Sequence, residues 1–226
     1  MAEYRPEVVE SPDETTIFEY HDLDRPTPED IYEARQTVRD HLPRTPLVRS
    51  ESISETLSAD VYLKREDTLP TGSFKIRGFY TLLESLDDVF LQKGVLTASM
   101  GNHGQAMAYA ARDLEIPATI VVPETLENPG KVRAMEQMGA TVRKEGDDFD
   151  EAREFAETMA AKEPYRYVHG GNEAPLIAGR ASAGLEVMED LPEVDVLLNP
   201  VGGGSSAAAY SLTVGNLLGA SVIGVQ

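Results

Sequence analysis

The segment Thr71-Gly72-Ser73-Phe74-Lys75-Ile76-Arg77-Gly78 puts a lysine in an unfavourable place. Residues 61–66 read as a strand and 68–72 as a loop. Ser73 is a natural N-cap, and Phe79, Leu82, Leu83 and Leu86 mark one face of the helix that follows. Lys75 therefore falls in the first helical turn, against the positive end of the helix dipole. That field depresses an ammonium pKa and favours a neutral, nucleophilic amine. The plain alternative is a lysine reaching into water, as most lysines do.

Two further strand-to-helix turns carry chemistry. In Ser99-Met100-Gly101-Asn102-His103-Gly104, small residues let backbone N–H groups approach an anion at a helix start. Asn102 adds an amide that both donates and accepts. An ordinary glycine turn with a capping Asn accounts for that spacing equally well. In Pro200-Val201-Gly202-Gly203-Gly204-Ser205-Ser206, successive glycine N–H groups opening a helix form a phosphate nest. A tight packing turn is the plainer reading, weakened because each glycine costs backbone entropy. The Gly-x-Gly-x-x-Gly fingerprint is absent, and Gly130-Lys131 lacks the other residues of a nucleotide-binding P-loop. An amine, a phosphate nest and a carboxylate seat together are what a pyridoxal phosphate enzyme requires. The acids Asp147, Asp148, Asp150 and Glu151 read as a helix N-terminus rather than a metal site. His103 alone reads as structural, and residues 169–173 as a loop after a strand.

Composition narrows the setting. The 226 residues suffice for one large or two small domains, and 41% are hydrophobic, enough for a real core. With 39 acidic and 20 basic residues, the net charge of −19 argues against nucleic acid and anionic membranes and suits a halophile. The absence of cysteine excludes disulfides and thiolate chemistry within the chain. His21, His41, His103 and His169 form no ligand-spaced pair, and no metal is expected. No secretory h-region opens the chain, which favours the cytoplasm. Residues 196–226 carry no Asp, Glu, Lys or Arg, but Asn199, Pro200, the glycines and Asn216 interrupt any membrane-length run. This stretch reads as strand, glycine turn, helix and strand, in a sheet covered on both faces.

These sites must be held by repeated β-α alternation, hence an α/β fold with largely parallel sheets. After a charged arm at 1–26, helices are expected at 27–40, from Lys75 onward, and at 103–114, 131–138, 149–162, 176–189 and 205–218. Gly179 and Gly184 weaken the helix at 176–189. Strands are expected at 94–99, 117–122, 140–144, 165–169, 194–198 and 221–225, with a turn at Asn128-Pro129-Gly130. The last residues lie directly on a strand, so a continuation beyond Gln226 is expected.

Leu63-Lys64-Arg65-Glu66-Asp67 followed by Pro70 through Gly78 resembles the lysine segment of the fold-type-II pyridoxal phosphate enzymes. Gly101-Asn102-His103-Gly104-Gln105 resembles, more narrowly, the threonine/serine dehydratase (ammonia-lyase) branch. The resemblance runs from about Pro43 to Gln226 and implies two open, largely parallel sheets flanked by helices. It implies a larger cofactor domain (1–93 and 169–226, lacking its last part) and a small mobile domain (94–168). Lys75 would carry pyridoxal 5'-phosphate covalently and then serve as base at the substrate α-carbon. Phe74 would pack beside the pyridine ring, and Asn102 would bond its 3′ oxygen. Gly202, Gly203, Gly204 and the Ser205 N–H would hold the phosphate. Ser99, Met100, Gly101, Asn102 and His103 would hold the substrate carboxylate. The implied reaction eliminates water from L-threonine or L-serine to give an aminoacrylate-type species, whose hydrolysis takes up a water and releases ammonia and a 2-oxo acid; a homodimer or homotetramer is implied as well.

The departures are specific. Three glycines precede Ser205 and Ser206, where the family usually shows four and then an aliphatic residue. Gly179-Arg180-Ala181-Ser182 replaces a frequent Gly-Gln-Gly-Thr. Met100 stands where the family's serine racemases carry a serine, and a thioether cannot transfer a proton. Racemisation is thereby disfavoured. The rivals are the same fold acting on hydroxyaspartate or a diamino acid, and an inactive cofactor-binding fragment.

Overall fold

The computed structural model describes residues 24–87, 92–126 and 129–226; most of the N-terminal arm and part of the expected turn before Lys131 lie outside them. The chain divides into two compact units, one formed by Leu83–Ala174 and the other by Pro26–Leu82 with Pro175–Gln226.

The Leu83–Ala174 unit holds a four-stranded parallel sheet. Its strands are β3 (Val95–Ala98), β4 (Ala118–Val122), β5 (Thr141–Lys144) and β6 (Arg166–Tyr167), in the order β5-β4-β3-β6. Every residue of β3 and β4 is buried, as expected of parallel strands covered on both faces. One cover is α6 (Phe149–Lys162), whose Ala152, Ala156 and Met159 pack on Leu96, Ala98, Val121 and Tyr167. Helix α4 (Asn102–Asp113) lies against β4 and against α5 (Pro129–Gln137), which begins at Pro129 rather than after the expected turn. Asp148 starts α6 by accepting a hydrogen bond from Glu151 N at 3.0 Å, so that acidic cluster is a helix cap, as its position implied. The chain leaves β3 toward β4 on one side and returns to β6 on the other. That reversal opens a crevice at the C-terminal ends of β3 and β6, the place where open sheets of this kind take ligands.

The second unit begins with α1 (Pro28–His41). Thr27 Oγ1 accepts from Asp30 N, and Asp30 Oδ2 accepts in return from Thr27 N at 2.8 Å, a reciprocal cap. Ile31 and Ala34 of α1 pack on Ala178, Ala181 and Leu185 of α7 (Ala174–Asp190) and on Ala209 of α8 (Ser205–Tyr210). Strand β1 (Leu47–Arg49) and the short helix α2 (Glu51–Leu57) were not expected. β1 pairs antiparallel with β2 (Tyr62–Lys64), an exception to the parallel pattern. β2 falls within the strand expected at 61–66, whereas the three-residue β1 carries no readable period.

Glycine did not weaken α7, because here it serves packing. A Cβ on Gly179 would sit 2.6 Å from Arg77 O, and one on Gly78 would sit 2.5 Å from Leu176 O. Helix α3 (Lys75–Glu84) and α7 thus cross backbone to backbone, which only residues without a side chain allow. Leu86, expected on the α3 face, falls beyond the helix end.

The expected helix at 205–218 is shorter. Beyond α8 the chain widens at Ser211–Gly215, with Asn216 N donating to Ser211 O at 2.8 Å, an i→i+5 bond. Strands β7 (Val196–Pro200) and β8 (Ser221–Val225) pair in parallel, and α8 packs on them. The expectation that they are covered on both faces fails among the described residues, where Leu198 is 67% and Val225 54% exposed. A two-stranded ribbon with helix on one face leaves the other open.

Candidate active site

Lys75 is the first residue of α3, and its backbone N–H donates to Ser73 Oγ at 3.4 Å. The expected first-turn position is present, whereas Phe74, not Ser73, immediately precedes the helix, and the Ser73 hydroxyl makes only this long bond. Burial, followed by the positive charge of Arg180, pushes the Lys75 amine down to about 8. The direction matches the sequence reading, but the second cause does not come from α3. Arg180 lies on α7, with its guanidinium 6.0 Å from the centroid of the Phe74 ring.

Two residues further along α3, Arg77 is fully buried. Its guanidinium grips Glu66 through Nε and Nη2 at 2.7 and 2.8 Å, and Glu186 through Nη1 and Nη2 at 2.8 and 3.0 Å. Thr45 and Ser182 hydroxyls accept from the same guanidinium at 3.1 and 3.2 Å. Lys64 pairs with Glu186 at 2.7 Å and donates to Thr45 O at 2.7 Å. Burial pushes the Glu186 carboxyl up, but its bonds and charge contacts with Arg77 and Lys64 outweigh that and hold it below its usual range. The lattice ties the loop before Lys75, α3 and α7 into one piece, so Lys75 stands on a fixed floor. Its composition predicts no such place, since Lys, Arg and Glu are rarely buried unless paired.

The glycine nest lies in the same unit. Gly204 has φ +83° and forms the N-cap of α8. Asn199 Nδ2 donates to Ser206 Oγ at 3.1 Å and to Pro200 O at 3.2 Å, bracing the loop from behind. A Cβ placed on Gly202, Gly203 or Gly204 would meet nothing within 4 Å. These glycines are therefore not required by packing, and their open N–H cradle suits a phosphate. A half-buried lysine with a lowered pKa and an unfilled glycine cradle fit a pyridoxal phosphate group. Ser205 and Ser206 are buried, Ser206 acting as the brace rather than as a ligand.

In the other unit, the turn at 99–103 lies at the mouth of the β3/β6 crevice. Ser99 Oγ accepts from Gly101 N at 3.2 Å and from Gly104 N at 2.9 Å. Asn102 is exposed and begins α4, whose first-turn N–H groups have no intrahelical acceptor. Met100 is exposed beside it. The His103 ring is buried, with Nε2 3.2 Å from Thr97 Oγ1, so only its backbone is placed to meet a ligand. Lys131 Nζ lies 3.3 Å from where a Cβ on Gly101 would stand, bringing a cation to this turn. The other lip of the crevice is the loop after β6. There His169 Nδ1 accepts from Gly171 N at 3.1 Å and Asn172 N at 2.9 Å, which leaves the ring proton on Nε2. Burial lowers the His169 pKa against the pull of Glu173. Arg180, Lys131 and His169 carry weight that spacing did not reveal. The departures at Gly179-Arg180 and in the loop at 170–173 after His169 were the sequence signals for two of them.

Fold and site together define an open-sheet α/β protein with a lysine-bearing helix start and an open glycine turn at a second helix start. Residues 38–226 match the model of the family described as pyridoxal-phosphate dependent enzyme. The chain belongs to that family. It is 42% identical over 201 residues to an L-threonine ammonia-lyase of Thermotoga maritima, covering 88% of this chain and 50% of that protein. The chain thus spans about half the length of that relative. Among solved structures, maize serine racemase superposes with a TM-score of 0.83 at 27% identity, over 90% of this chain and 63% of that one. Threonine deaminase isoform 2 from Solanum lycopersicum gives 0.80 at 31%, over 89% and 61%.

Proposed function

We propose that the chain is the lysine-bearing part of a pyridoxal-phosphate-dependent ammonia-lyase that dehydrates and deaminates L-threonine or L-serine. The observation that carries this reading is Lys75: a half-buried amine, lowered to about 8, on a helix start held rigid by the Arg77 lattice. The cofactor, when bound, supplies the electron sink that makes the substrate α-proton removable. The protein supplies the rest. Lys75 is a base poised near neutral pH for proton transfer at the α-carbon. On the resemblance, Gly202, Gly203, Gly204 and the Ser205 N–H would anchor the phosphate, Phe74 would flank the ring and Asn102 would bond its 3′ oxygen. Residues 99–103 hold the substrate carboxylate, with Lys131 adding charge. Met100 offers no proton to the opposite face, which favours elimination over racemisation.

The names of the Thermotoga and tomato relatives support threonine as substrate. The loop at 170–173, pinned to His169 on the crevice lip, departs from common dehydratase versions and supports a second reading, a lyase for another β-substituted amino acid. We assign cofactor binding to residues 1–93 and 169–226 and the mobile role to residues 94–168. The net charge of −19 supports a salt-adapted cytoplasmic enzyme, and the family supports a homodimer or homotetramer. Added pyridoxal phosphate should give a protein-bound absorbance band that Lys75→Ala abolishes, together with 2-oxo acid release from threonine or serine. Oxo acid formed equally fast by Lys75→Ala refutes the mechanism. A panel including hydroxyaspartate and diamino acids decides the substrate, and a band without turnover leaves only a cofactor binder.

A further inference from the structure

The close crossing of α3 and α7 brings Arg180 to the start of α3. Gly179 touches the α3 backbone directly, so the residue after it is delivered to that helix's first turn. Arg180 is 1% exposed, and its guanidinium faces the ring of Phe74, the residue before Lys75. An arginine keeps its charge in proteins, whereas a buried lysine gives up its proton readily. Where two cations share a buried place, the lysine yields.

The other charged groups around this floor do not alter that balance. Lys64 on β2, Glu66 in the loop, Arg77 on α3 and Glu186 on α7 are cross-paired and sum to zero. Tyr210 on α8 has its pKa raised by burial and stays uncharged. Arg180 is a cation at a position where the family often has a neutral glutamine.

We infer that Arg180 is a positioning residue for Lys75, holding its amine in the neutral, nucleophilic form from its place beside the Phe74 ring. The role deepens the proposed function, because a neutral amine is what must attack an aldehyde group and later accept a proton. Residues 75 and 180 then form one device: the lysine reacts and the arginine sets the pH at which it can.

The test reads the amine itself. The full-length protein, freed of cofactor, is pulse-labelled with acetic anhydride from about pH 6 to about pH 10, and Lys75 acetylation is followed by peptide mass spectrometry. Wild type should show a midpoint near 8. Arg180→Gln and Arg180→Met should each move it up by about half a unit or more, slowing Lys75 labelling at neutral pH about threefold. Labelling of Lys144 should not change. Arg180→Met keeps apolar bulk against Phe74, so a shift in both variants assigns the effect to charge. Profiles for both that superimpose on wild type, with circular dichroism intact, overturn the inference. An unshifted profile with the cofactor band retained removes the role of Arg180 alone. A wild-type protein with no band removes the cofactor reading and leaves the labelling result standing.

Discussion

The molecule has two glycine-rich turns at helix starts, and they use glycine for opposite reasons. Around 99–104 the turn is filled. A Cβ on Gly104 would meet Met135 Sδ at 3.0 Å, Ser99 Cβ at 3.2 Å and Ile120 at 3.3 Å. Its first N–H groups are partly answered from within, by the Ser99 hydroxyl. Around 202–204 the turn is empty, with no atom within 4 Å of any added Cβ. The first turn needs glycine so that α4 can lie on its sheet. The second has no packing reason for glycine; the left-handed backbone of Gly204 accounts for one of the three, and Gly202 and Gly203 leave room and donors for something outside the chain. Composition alone does not separate the two; the surroundings do.

That contrast can be broken by substitution. The largest effect should come from Gly203→Ala, which should weaken pyridoxal phosphate binding about tenfold or more, measured by fluorescence titration. Its cofactor-free melting temperature should stay at the wild-type value, because the added methyl meets no protein atom. A lowered melting temperature with unchanged affinity would make this turn structural. Gly104→Ala should do the reverse, costing about 1–3 kcal/mol of stability by overpacking against Met135 and Ile120, read by urea denaturation. Ser99→Ala should cost least, about 1 kcal/mol, since it removes one hydroxyl acceptor from a helix start. A stability loss larger than that of Gly104→Ala would mean that the hydroxyl, not close packing, holds the first turn together.

Much of this architecture could be read from local chemistry. The cap at Thr27, the cap at Asp148 and the position of Lys75 each depend on residues within four of one another, and each was legible. The start and end of α6 were legible for the same reason. What stayed hidden depends on distance along the chain. Arg77 reads as a surface residue until Glu66 and Glu186 are placed around it. Gly179 reads as a helix breaker until Arg77 O is seen 2.6 Å from its missing Cβ. The crevice between the 99–104 turn and the His169 loop depends on strand order, which alternation alone does not give. The role of Arg180 needed both the crossing and the burial.

The Arg77 lattice has a consequence for the order in which the chain assembles. Arg77 and Glu186 are 109 residues apart in sequence, and the Leu83–Ala174 unit lies wholly between them. That inserted unit has its sheet partners within one continuous stretch, so it needs no residue made later to close its core. The lattice has to wait until the ribosome has delivered α7, and it then closes a long loop at one step. The floor beneath Lys75 therefore cannot close before α7 exists, whereas the inserted unit can close its sheet earlier.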